Sequence, residues 1–185
     1  GISLASLGDI DGDETGDVAI GIRGAVYVAR LNTDGTVKSH TLLSNPTLGI
    51  SSSVSPALAT AGDLDGNGVT DLLVGSDDNE SVYSLFLHAD GTLAGTVRIG
   101  SGINGGPSVS GTNFGTSVSS LGDFDGDGVV DLLVGARGDD TGGQDRGAVY
   151  ILRLDAGMFD YGDAPDNTAG TGVGNYATTL GDGGP

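Results

Sequence analysis

Asp123-Phe124-Asp125-Gly126-Asp127-Gly128-Val129-Val130-Asp131 puts a carboxylate at positions 1, 3, 5 and 9 of a nine-residue run, with glycine at positions 4 and 6. In a tightly curled segment alternate side chains turn inward, and glycine supplies the backbone freedom that the curl requires. Asp123, Asp125, Asp127 and Asp131, with the main-chain carbonyl of Val129, can then converge on one hard cation. Phe124, at position 2, is expected to point away and pack into the body of the fold. A lone run of this kind is commonly an acidic turn held by side-chain-to-backbone hydrogen bonds.

The run recurs in register. Asp63, Asp65, Asn67, Val69 and Asp71 repeat the pattern, as do Asp9, Asp11, Asp13, Thr15 and Asp17, with leading aspartates 54 and 60 residues apart. Scattered surface acids do not align this way, so the acidic-turn reading gives way to three metal loops. Position 12, where an EF-hand carries an acid ahead of an exiting helix, is Ile20, Val74 and Val134, each inside an apolar run. A cage of protein oxygens leaves little room for the waters magnesium retains, and no Cys or His enters the loops to attract zinc. Three Ca2+ sites are the expectation.

The three loops differ in ways that rank them. The third has four carboxylates and Gly128 at position 6; the second keeps Gly68 but carries the neutral Asn67; the first keeps four Asp but has Glu14 at position 6. A non-glycine residue held at positive φ costs about 1 kcal/mol or more. Affinity is therefore expected to be highest at the third loop, with the first somewhat tighter than the second.

Around each loop the order of segments is the same. The stretch Gly1-Ile2-Ser3-Leu4-Ala5-Ser6-Leu7-Gly8-Asp9 aligns with residues 115–123, and residues 55–63 form a weaker copy. A short alternating run leads into the loop, a dense apolar run (residues 17–20, 71–74 and 131–134) leaves it, and a third run follows at residues 25–28, 81–87 and 148–152. These runs are short, β-branched and bounded by Gly and Asp, which predicts strands. Asp34-Gly35 and Asp90-Gly91 predict hairpin turns into fourth strands over residues 36–43 and 92–99. Four strands per repeat make a propeller blade.

Phe114-Gly115, the loop from Asp123 to Asp131, Gly135-Ala136 and Gly147-Ala148-Val149-Tyr150 resemble the FG-GAP repeat of integrin α subunits and their bacterial relatives, over roughly residues 1–155. The chain begins one residue after the Phe expected in the first copy, and Val54-Ser55 replaces Phe-Gly in the second. The fold expected is all-β: three four-stranded antiparallel blades of a β-propeller spanning residues 1–48, 49–104 and 105–157, with a Gly/Asp-rich tail over residues 158–185. The resemblance implies a non-enzymatic calcium-binding segment of a secreted or cell-surface protein, structural or adhesive, with a protein or polysaccharide ligand. The alternative is an accessory module of a secreted hydrolase whose catalytic part lies elsewhere.

Bulk properties agree. The formal charge of -18 repels nucleic acid and anionic membrane surfaces. No apolar stretch is long enough to span a bilayer. With 36 Gly and no Cys, the chain favours turns without a disulfide scaffold. A first residue of Gly points to a processed or excised piece of a longer chain. Three blades would leave two open sheet edges, so missing N-terminal blades or self-association is expected, with residues 158–161 adding a strand to the third blade or to a neighbour.

Other signals carry less. Arg137-Gly138-Asp139 spells a cell-attachment tripeptide but falls in a variable Gly/Asp-rich loop, which favours coincidence. Asn79-Glu80-Ser81 matches a glycosylation acceptor relevant only on a eukaryotic secretory route. Gly170–Gly174 neither follows a strand nor opens a helix, which argues against a dinucleotide site. His40 and His88 lie on strand-like segments without a nucleophile turn, so no catalytic residue is assigned. Phe159-Asp160-Tyr161-Gly162-Asp163-Ala164-Pro165 resembles a short opening motif of large bacterial surface proteins.

Overall fold

A computed structural model describes residues 1–44, 48, 50, 56–144 and 146–155. The first sheet is a meander of β1 (Ser3–Gly8), β2 (Asp17–Ile22), β3 (Ala25–Leu31) and β4 (Val37–Ser44). The second repeats it with β5 (Ala57–Gly62), β6 (Asp71–Ser76), β7 (Ser81–Leu87) and β8 (Leu93–Gly100). The third has β9 (Phe114–Gly122), β10 (Asp131–Ala136) and β11 (Ala148–Leu152). Every pairing is antiparallel, and β1, β5 and β9 lie side by side, as the inner strands of successive propeller blades do. The expected fourth strand of the third blade falls on residues outside the described set. So do the Gly170–Gly174 segment and the Phe159–Pro165 motif.

The middle blade buries both faces against its neighbours, so every residue of β6 and β7 is buried on one side or the other. Val26 and Val28 of β3 face forward and meet Leu72, Val74 and Tyr83 of the second blade in one core. Leu73, Val82 and Phe86 face forward in turn, against Leu132, Val134 and Leu152 of the third. The position 2 residues of the loops follow the same rule: Ile10 is buried in the first core and Leu64 packs on the second. Phe124 does not, being 60% exposed. Its expected packing fails because the forward face of the third blade has no blade over it among the described residues, and Val149 and Ile151 on that face are exposed with it. On the opposite side Leu4 of the first blade is 70% exposed, where its counterparts Leu58 and Val118 pack against a preceding blade.

The Phe-Gly pair of the third repeat sits at the junction of the second and third blades. Phe114 is fully buried and meets Tyr150 edge-on, with ring centroids 5.5 Å apart. Gly115 has φ +93, and a Cβ there would approach the Ser81 carbonyl oxygen to 2.5 Å. A Cβ on Gly75 would overlap the Gly115 carbonyl oxygen. Two backbones touch here, which only paired glycines permit. Gly75→Ala is therefore expected to lower unfolding free energy by about 3 kcal/mol through overpacking, whereas Gly142→Ala, with open space around it, should stay within about 0.5 kcal/mol of wild type. Urea denaturation compares the two variants.

Candidate metal centres

Each loop is organised by its first aspartate. Asp9 Oδ1 accepts the amides of Gly12 and Asp13 at 2.7 and 3.0 Å, and its Oδ2 accepts that of Glu14 at 2.7 Å. Asp63 accepts from Gly66, Asn67 and Gly68, and Asp123 from Gly126, Asp127 and Gly128, in the same pattern. The amides of Thr15, Val69 and Val129 at position 7 donate to the side chain at position 5, which is Asp13, Asn67 and Asp127 respectively. The curl forces position 6 to positive φ: Gly68 at +86, Gly128 at +90, and Glu14 at +67 despite its side chain. Three sequences thus fold into one loop geometry.

The ninth aspartate works underneath. Asp17, Asp71 and Asp131 are buried. One oxygen of each accepts the position 2 amide (Ile10 at 3.1 Å, Leu64 at 2.7 Å, Phe124 at 2.8 Å). The other accepts an amide from the end of the third strand or just past it: Leu31 at 2.9 Å, Leu87 at 3.0 Å and Leu154 at 2.9 Å. The loop is thereby tied to the sheet at two points.

Carboxylate oxygens converge in three groups: Asp9, Asp11 and Asp13; Asp63, Asp65 and Asp71; and Asp123, Asp125 and Asp127, each within 4.8 Å. Asp17 and Asp131, expected as ligands, are not in the first and third groups, whereas Asp71 joins the second. Clustered carboxylates suit a hard divalent cation, and in the first loop Asp11 Oδ1 is buried with no hydrogen-bond partner among the described residues. The residues present fit calcium, which positions 1, 3 and 5 of the outer loops, and 1, 3 and 9 of the middle one, would hold.

Surroundings separate the three clusters. Lys38 donates to Asp11 Oδ2 at 2.8 Å and Asp13 Oδ2 at 2.7 Å. Its hydrogen bond, followed by that of the Thr15 amide, holds the Asp13 carboxyl below its usual range. In the second loop the Asn67 amide nitrogen reaches Asp65 Oδ2 at 3.1 Å and the Leu87 carbonyl at 3.0 Å. Lys38 was not among the sequence-derived site residues. The available signal was the β3–β4 hairpin, which pairs Val37 with Leu31, the residue whose amide Asp17 holds.

The attachment tripeptide is engaged internally. Asp139 is 2% exposed, accepting from the Thr141 amide at 2.8 Å and from the Tyr150 hydroxyl, while Arg137 pairs with Asp77 at 3.2 Å. Its carboxylate does not face a partner. The side-chain nitrogen of Asn79, the glycosylation candidate, donates to the Tyr83 hydroxyl at 2.8 Å. His40 and His88 are exposed, the former edge-on to Tyr27. No helix among the described residues is long and apolar enough to cross a membrane.

Two family models match the chain: the FG-GAP repeat over residues 114–152 and an FG-GAP-like repeat over residues 9–74. Integrin alpha-PS2 of Drosophila melanogaster is 34% identical over 166 residues, a match covering 78% of this chain and 11% of that protein.

Burial pushes the Asp71 carboxyl up to about 6; the Leu87 and Leu64 amides oppose the shift, and the Asp65 and Asp63 charges add to it. Raised in the folded state above its ordinary 3.8, this group contributes stability that is full below pH 3.8 and lost as pH rises through about 6. In chelator, the melting temperature should fall across that window. Asp71→Asn should flatten the fall, and thermal scans at stepped pH read both; an unchanged slope in Asp71→Asn would assign the titration elsewhere.

Proposed function

The chain belongs to the FG-GAP repeat family, and from that premise we propose that it is a calcium-stabilised, non-catalytic propeller segment serving adhesion or structure outside the cell or at its surface. The observation carrying this reading is the triplicate loop, in which one backbone geometry brings acidic side chains together at equivalent places. In a chain of charge -18, such clusters repel themselves, and a divalent cation bound only by the folded state relieves that repulsion. Millimolar calcium outside cells suits sites of modest affinity. The name of the integrin α relative supports the same compartment and a protein ligand, with a polysaccharide as the other class of surface ligand.

Assembly belongs to the same reading. Phe124, Val149 and Ile151 on one end, and Ile2 and Leu4 on the other, leave apolar surface on the two terminal blades. Blade packing inside the chain has the same chemistry, so these ends are suited to further blades or to a second copy.

Chelation should lower the melting temperature by about 5 to 10 °C for each loop emptied, taking calcium at about a hundred times its dissociation constant as worth ~2.7 kcal/mol per site, and readdition should restore it. Asp127→Asn should weaken the third loop while leaving the fold intact, as read by calcorimetric titration of calcium. An identical melting curve after verified metal removal would refute calcium dependence. Separately, sedimentation analysis should show concentration-dependent association that Phe124→Ser reduces; a wild-type monomer at all concentrations would exclude self-association as the use of these faces.

A further inference from the structure

Lys38 is the chain's one lysine, and its ammonium bridges positions 3 and 5 of the first loop. The delivery is structural. Asp17, beneath the loop, holds the Leu31 amide, Leu31 pairs with Val37 across the β3–β4 hairpin, and Lys38 is the next residue. The second blade repeats the hairpin, with Leu87 held by Asp71 and paired with Leu93, but the next residue is Ala94. There the neutral Asn67 amide reaches Asp65. In the third blade no side-chain nitrogen of the described residues hydrogen-bonds Asp125 or Asp127. Among the described residues, one frame therefore presents three conditions: a tethered cation, a neutral donor, and neither.

We propose that Lys38 is a tethered counter-ion occupying the cation position of the first loop, so that this loop is held together without metal and takes calcium only by displacing the ammonium. An ammonium and a calcium ion compete for the same carboxylate oxygens, and the tether gives the ammonium a high local concentration that no calcium buffer dilutes. The replacement is incomplete, because Asp11 Oδ1 stays buried without a hydrogen-bond partner. Calcium can still enter, at a cost in affinity. The first loop then becomes the weakest of the three, which reverses its expected rank over the second despite its four aspartates.

The inference rests on the proposal that the second and third loops take calcium, and the test separates the two. Calcium is titrated calorimetrically into the full chain and into K38M, and each protein is melted in chelator. Two tighter sites, the second and third loops, and one weaker site, the first loop, are expected in the wild type; K38M should tighten the first loop about tenfold, the scale of two surface ion pairs. Adding D11N to K38M should abolish that gain. In chelator K38M should melt below the wild type, and calcium should restore it. Isotherms and chelator melting curves that coincide for wild type and K38M would overturn the role of Lys38. If the wild type takes no calcium at any loop, the calcium proposal fails, and the chelator melts alone decide on Lys38: a lower K38M curve supports the counter-ion, a superimposed one overturns it.

Discussion

A buried carboxylate under each loop is the constraint on which the blade depends. Asp17, Asp71 and Asp131 each accept one amide from the start of the loop and one from the end of the third strand or just past it, so a single side chain ties the loop to two strands of its blade. Buried charge is costly unless hydrogen-bonded, and two charge-assisted bonds per carboxylate offset part of that cost. Burial pushes the Asp71 carboxyl up against both bonds, so the offset is partial there, and the Asp65 and Asp63 charges add to the shift. The same residue that fixes the loop's shape thus makes the loop sensitive to the charge above it.

Loop architecture and strand order were legible in the sequence because both rest on local rules. Alternation, Asp-Gly turns and the recurring acidic run each leave a periodic mark, and β1 to β11 fall where those marks are. The positive φ at Glu14 was legible for the same reason: its place in the repeat dictates its backbone whatever its side chain. Phe124 was misread because position 2 packs against the next blade rather than its own, a property of the neighbour and not of the loop. Lys38 left only an indirect mark, the Asp34-Gly35 hairpin, since an isolated surface lysine becomes a ligand-like group only through the register of β3 against β4. Asp139 shows the opposite error a motif can invite: the tripeptide is in the sequence, but its carboxylate is turned inward to Tyr150.

The repeated interface explains why the two central strands of the middle blade, β6 and β7, have no exposed row. A blade inside the array has neighbours on both faces, and Leu72, Leu73 and Val74 of β6 are all buried, serving the preceding and following cores alternately. The first and third blades carry the same pattern with one neighbouring blade each among the described residues. Their exposed residues are equivalents of buried ones: Val149 corresponds to Val26 and Val82, both inaccessible to solvent. Surface apolarity at the two ends is thus the repeat's own interface code, written where the described array stops.

Equal backbones with unequal counter-ions also show what the repeat holds constant and what it leaves free. The amides gathered by Asp9, Asp63 and Asp123 are matched position for position, so loop shape does not depend on which group neutralises the cluster. Neutralisation in the first blade is instead set by a strand residue outside the loop, Lys38, while in the second the loop's own position 5 residue, Asn67, contributes only a neutral donor. Because shape and charge balance are supplied by different residues, substitution at a single strand position can change a loop's cation requirement without refolding the blade. A propeller built this way can distribute its dependence on calcium unevenly among blades of the same fold.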